Sequence, residues 1–350
     1  MPTRNVLFPT LLAAASLLTA TGASGQAGPP APAGYHVTGR IALPGDGGWD
    51  YLLADAASHR LYVSHGTQVV VVDMERDSVV GIIGDTPGVH GIAIAPRLGR
   101  GFTSNGRDST VTVFALGTLA PIQRISVTGR NPDAITYDPA TRRIFTFNGG
   151  SANATAIDAA TGRVVGTIPL PGKPEFARVD GRGRLWVNIE DRSVVVPVDT
   201  RAMTAGTPWP LAPCEEPSGM AADTVHHRLF IGCANRLMAV MSSDDGKIIA
   251  TLPIGAGVDA NAFDPASQLA FASNGEGTLT IVHEDSPDRY HVVASVPTAP
   301  RARTMALDER THRIYLSTAD FGPAPAATAD HPRPRPPMKP GSFAVLVVAP

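Results

Sequence analysis

Asp50, His90, Asp133, Glu175, Ser218, Asp259 and Arg303 follow one another at steps of 40 to 44 residues, and six of the seven are ionisable. Carboxylates and an imidazole brought to one place supply the oxygen and nitrogen donors of a divalent-cation site, so Asp50, His90, Asp133, Glu175 and Asp259 are the metal candidates. Arg303 would grip an anionic group on a ligand, and His90 and Glu175 could move a proton beside a cation that polarises a carbonyl. Carboxylates crowded this closely do not all stay ionised without a cation or a raised pKa. The plainer reading is that polar side chains keep a water-filled pore solvated. Ser218 sits in Pro217-Ser218-Gly219 with no nucleophile-elbow pattern around it, which argues against a serine hydrolase.

Such a set converges only if the segments carrying it are equivalent. A phrase of the form apolar, x, Asp-Pro, short turn, Arg, then apolar-aromatic-β-branched returns as LLADAASHRLYVS, IAIAPRLGRGFTS, ITYDPATRRIFTF, ARVDGRGRLWVN, MAADTVHHRLFIG, NAFDPASQLAFAS and MALDERTHRIYLS. Its anchors are Asp55, Ala95, Asp138, Asp180, Asp223, Asp264 and Asp308, each five residues after one of the seven positions above. A period of about 40–45 residues built from short β-rich segments predicts an all-β, seven-bladed propeller with four antiparallel strands per blade. The apolar run before each anchor reads as the innermost strand, with Asn-Gly turns such as Asn105-Gly106 and Asn148-Gly149 after the second. The seventh repeat has only three strands, whereas residues 35–43 form a lone strand ahead of the first repeat. Pairing that strand with residues 343–348 would complete blade seven and close the ring, leaving no exposed edge there. The seven side chains would then line one mouth of the central channel.

LYVS, GFTS, IFTF, LFIG and IYLS, with turns such as Asp158-Ala-Ala-Thr-Gly162, resemble the YVTN-repeat, YncE-like propellers of bacterial periplasm and cell surface. The likeness covers residues 35–350. It implies a binding or surface protein, while related seven-bladed rings include lactonases and lyases; it transfers no catalytic residue.

Residues 1–25 carry Arg4, an apolar stretch from Leu7 to Ala20 and a small-residue run before Gln26, the pattern of a secretory signal. The stretch is shorter than the ~20 residues of a spanning helix, so after cleavage the chain is expected to be periplasmic or secreted and not membrane-spanning. A Pro/Ala/Gly linker, 26–34, leads into a single propeller over 35–350. Lys and Arg number 29 against 31 Asp and Glu, a net charge of −2 that gives no sign of a nucleic-acid partner. Cys214 and Cys233 are expected to form a disulfide in an oxidising compartment, the alternative being soft-metal ligation with His65 or His90.

Loops between second and third strands would bring His65, Arg107, Asp108, Glu190, Asp191, Arg192, Asn235, Arg236 and Glu276 to the rim, although solvated loops are normally polar. A Pro-rich insertion in blade seven, 320–341, suits a lid, a strap that docks a protein partner, or a decoration without a role. Arg60, Arg100, Arg143, Arg184, Arg228 and Arg313 recur at the opposite face, where Asp/Arg pairing between hairpins accounts for them. Trp49 and Phe176 read as blade packing in preference to ligand stacking. The ligand classes that follow are a small molecule, a metal ion or a cell-envelope component. Three functions compete: a binding protein, a metal-dependent hydrolase or lyase acting on lactones or carbohydrates, and a protein-interaction platform.

Overall fold

Runs such as Val69–Val72 and Ala344–Val348 are rich in β-branched residues, which suit a pleated, buried surface. Asp and Gly turns cut such runs into strands of about six residues. The computed structural model describes residues 1–2, 34–326 and 336–350. The chain divides into two units, Met1–Ala31 and Pro32–Pro350. The expected leader, nearly all of the linker and the stretch His331 to Arg335 lie outside the described residues. Within the second unit, seven antiparallel sheets follow in chain order. Their innermost strands are Trp49–Asp55, Val89–Ala95, Pro132–Asp138, Pro174–Val179, Pro217–Asp223, Val258–Asp264 and Met305–Asp308. Each sheet has four strands, except that the outer edge of blade four is split into Thr204–Ala205 and Trp209–Pro210. No helix among the described residues is long and apolar enough to cross a membrane.

The last blade is composite, as expected. His36–Ala42 pairs antiparallel with Ala344–Ala349, from His36 opposite Ala349 to Ala42 opposite Ala344. The carbonyl of Phe343 accepts from the Leu43 amide at 2.9 Å, extending the seam by one bond. Ile41, Leu43, Phe343, Val345 and Val347 are buried in the same apolar cluster as Leu61 and Val63 of blade one, so closure also joins blade seven to blade one.

The expected Asp/Arg pairing between hairpins holds for three of the six recurring arginines, each with an aspartate of the next blade: Arg228 with Asp288 at 2.9 Å, Arg184 with Asp244 at 3.8 Å and Arg313 with Asp77 at 4.0 Å. The more general contact is to main-chain carbonyls of the neighbouring blade: Arg60 to Leu116 at 2.5 Å, Arg100 to Ala160 at 2.6 Å, Arg143 to Thr200 at 2.7 Å, Arg184 to Ser243 at 3.2 Å and Arg228 to Pro287 at 2.7 Å. Arg313 closes the circle onto Met74 at 3.5 Å. A third-strand carbonyl at its terminus has no ladder partner, and a charged donor satisfies it better than a neutral one. The anchor aspartates are occupied locally, capping their own turns as Asp55 does with Ala57 N and Ser58 Oγ.

Cys214 and Cys233 form a disulfide with Cα atoms 5.7 Å apart, and both are buried, which removes them as thiolate ligands. The bridge closes a loop with a sequence separation of 19. A Cys214→Ala, Cys233→Ala variant should lose about 3 kcal/mol of stability in urea unfolding. A loss below about 1 kcal/mol would show that the bridge does not constrain the unfolded chain as argued.

Candidate functional site

In six blades the pairing of the innermost strand with the second shifts register at the position singled out from sequence. The shifts lie between Trp49 and Leu52, Val89 and Ile92, Pro132 and Ile135, Pro174 and Ala177, Pro217 and Met220, and Val258 and Ala260. A bulge bends the strand and re-aims one side chain, here Asp50, His90, Asp133, Glu175, Ser218 and Asp259. Backbone groups freed by the bulges are taken up by small polar residues of the second strands. Ser64 Oγ accepts from the Asp50 amide at 3.1 Å, Ser104 Oγ accepts from Gly91 N at 2.8 Å and donates to the Asp133 carbonyl, and Asn188 donates to the Ser218 carbonyl at 2.8 Å. In blades one, two and four the final Ser or Asn of the LYVS-type phrase thus takes up backbone groups at a bulge, a contact that Phe147 and Gly232 cannot make in blades three and five.

The ring residues meet in pairs. His90 Nδ1 lies 2.6 Å from Asp50 Oδ2 and 3.7 Å from Asp133 Oδ1. Ser218 donates to Asp259 Oδ1 at 2.9 Å, and Arg303 Nε lies 3.4 Å from Asp259 Oδ2. Glu175 pairs at 2.7 Å with Lys173, which also contacts Glu190. Lys173 escaped the sequence reading because it precedes the repeat phrase; Lys173-Pro174-Glu175, with a base two residues before a ring acid, was the available signal. His90 and Glu175, weighed for proton transfer, are therefore both engaged by neighbours. The Asp133 carboxylate accepts no hydrogen bond among the described residues. Ligand atoms of Asp50, His90 and Asp133 all lie within 4.8 Å of one another.

Burial pushes the Asp133 carboxyl up to about 7, helped by the charge of Asp50 and opposed by His90. Glu175 rises to about 8, through burial and the charge of Asp133 against the Lys173 contact. Burial alone would lower His90, but its bond to Asp50 and the charges of Asp133, Asp50 and Glu175 outweigh this and carry it to about 9. Asp259 is raised by burial, with Arg303 opposing.

The other candidates separate clearly. His65 is not on the rim: it is buried, stacked on Phe343 with ring centroids 4.3 Å apart. Trp49 stacks on Phe343 at 5.3 Å and Phe176 packs on Tyr51 at 4.6 Å, both as blade packing. Asp191 accepts from the Lys173 amide at 2.7 Å, so this rim residue supports the ring. The described base of the Pro-rich insertion is tied down where Phe321 bridges Met338 and Asp46 accepts from Gly341 N at 2.8 Å. It borders a cavity of about 300 Å³ shared with Trp49 and Arg303.

Deeper in the channel, Arg178 lines two cavities of about 320 and 290 Å³. It stands 5.6 Å from the Phe176 ring centroid and has no carboxylate within ion-pair distance among the described residues. Burial lowers its pKa from the usual guanidinium value. The other repeats carry Leu53, Ala93, Thr136, Ala221, Ala262 and Ala306 at this register, a contrast the sequence displayed but the reading did not use.

The fold is that of a seven-bladed β-propeller, compatible with a binding or interaction role. No protein-family model matches the chain, and no curated protein matches its sequence. Among solved structures it is similar to Kuenenia stuttgartiensis hydrazine synthase, with a TM-score of 0.69 and 16% identity over 77% of this chain and 92% of that one. It is also similar to U3-55K, at a TM-score of 0.76 and 8% identity over 91% and 100% of the two chains. The RRP9 WD40 repeats match at 0.75 and 8% over 90% and 99%. At these identities the likeness is one of fold.

The mouth makes stability depend on pH. Asp133, Glu175 and His90 each hold a proton more tightly when folded than at their ordinary values of 3.8, 4.5 and 6.5. Their contribution is complete below those unfolded values and is lost as pH rises through about 7, 8 and 9. Metal-free protein should therefore show a Tm that falls steadily from pH 5 to pH 9, with a flatter profile for Asp133→Asn, as read by scanning calorimetry. Parallel profiles for the two proteins would contradict this assignment.

Proposed function

We propose that this chain is an exported binding propeller, akin to the YVTN-repeat, YncE-like group, whose ligand carries a cationic centre held at the channel mouth. The observation that carries the reading is Asp133. It is a mostly buried ring carboxylate that accepts no hydrogen bond among the described residues, and its donor atom lies within 4.8 Å of those of Asp50 and His90. A divalent cation fits this set: it would displace the His90 proton and take Nδ1 with oxygens from Asp50 and Asp133, with Glu175 and Asp259 adding negative potential around it. Arg303 beside Asp259 would receive an anionic part of the same ligand. Export is supported by the leader pattern and by the disulfide, which persists in oxidising compartments.

Calorimetric titration of calcium, manganese and zinc into chelator-treated protein tests the site. Wild type should bind one ion at the mouth, and an Asp133→Ala, Asp259→Ala double variant should bind it at least about 100-fold more weakly. Affinity should rise from pH 6 to pH 9 as the competing protons leave. Identical titrations for the two proteins would remove the proposal.

A further inference from the structure

At the face opposite the mouth, four anchor aspartates share an arrangement that blade five lacks. In blades one, three, six and seven the second carboxylate oxygen accepts from a hydroxyl three residues on: Ser58 to Asp55 at 2.5 Å, Thr141 to Asp138 at 2.8 Å, Ser267 to Asp264 and Thr311 to Asp308 both at 2.6 Å. Asp138 has a further donor from the next blade, Thr200 Oγ1, at 2.6 Å. In blade five the hydroxyl is replaced by His226, and the residue that blade six presents in the place of Thr200 is Glu284. Two donors have given way to an imidazole and a second carboxylate. Asp223 Oδ1 still caps its turn through Val225 N at 2.8 Å, which leaves Oδ2 facing the new pair.

His226 Nδ1 lies 2.7 Å from Asp223 Oδ2 and 3.0 Å from Glu284 Oε1. These are hydrogen-bond separations without hydrogen-bond angles. Asp223 Oδ2, His226 Nδ1 and both oxygens of Glu284 are buried atoms with no hydrogen-bond partner. By contrast, His90 with Asp50, and His283 and His291 with Asp285, make properly directed bonds. The side chains of Glu284 and Asp223 are 0% and 3% exposed. The nearest arginine, Arg228, spends its donors on Pro287 O, Asp288 and the carbonyls of His226 and His227. Two buried carboxylates face one imidazole at ion-pair distance but without directed hydrogen bonds, so even a protonated His226 leaves one buried negative charge unbalanced, which a divalent cation among them would offset.

The geometry points to a second metal site, in which Asp223, His226 and Glu284 clasp a divalent ion between blades five and six. One imidazole with two carboxylates suits a first-row ion of the zinc type, the side left open by the half-exposed His226 admitting water as a further ligand. This site is independent of the mouth and stands or falls without it.

Zinc is the probe, titrated calorimetrically into the chelator-treated full chain. The variants are His226→Ser, which restores the hydroxyl found in four other blades, and Glu284→Gln, which keeps the shape of the side chain. Each should lose one tight zinc equivalent, its affinity falling by more than about 100-fold, together with the zinc-dependent rise in Tm it produces. Asp133→Asn and His291→Ala, at the two other histidine-bearing clusters, should retain that equivalent. Equal tight zinc in wild type, His226→Ser and Glu284→Gln would overturn the assignment. So would the absence of tight zinc from wild type, since a proton on Glu284 would then be what balances the cluster.

Discussion

A sheet that curls into a ring must end where it began, and here the end is made by a strand from the other extremity of the chain. Without His36–Ala42, the row of backbone groups on Ala344–Ala349 would face solvent, and the apolar side chains shared by blades seven and one would lose a wall. Every other feature presumes this pairing. Only in a closed circle do equivalent positions of seven repeats look at a common axis, and only there do the bulges in six of the innermost strands become part of one site.

The fold was legible because its determinants are local and repeated: the period of the anchor residues, the turn residues, and the surplus strand at one end matching the missing strand at the other. The ring was legible for the same reason, since equal register in equal blades gives equal position. What local reading missed depends on contacts between blades. Asp/Arg pairing between hairpins was expected of all the recurring arginines, yet only Arg184, Arg228 and Arg313 make it; the anchor aspartates cap their own turns and the arginines mainly reach main-chain carbonyls of the neighbouring blade. His65 looked like a rim residue, and only the partner from the closing blade, Phe343, shows why it is buried. The Asp223, His226 and Glu284 cluster is divided between two repeats, so no spacing rule could reveal it.

The two faces handle charge differently. At the mouth, acids outnumber bases, but most are paired, and the imbalance falls on Asp133 through proximity to Asp50 and Glu175. Deeper in, Arg178 carries positive charge with no acid within ion-pair distance among the described residues, and its guanidinium packs on Phe176.

The arginine staples join one blade to the next through backbone oxygen, a group every residue possesses. Leu116, Ala160, Thr200, Ser243 and Met74 serve equally well as acceptors because their side chains take no part in the bond. The joint is blind to the identity of its partner. Mutation can therefore rewrite a single blade without unfastening the circle, and a ring assembled from near-copies is free to become heterogeneous one repeat at a time.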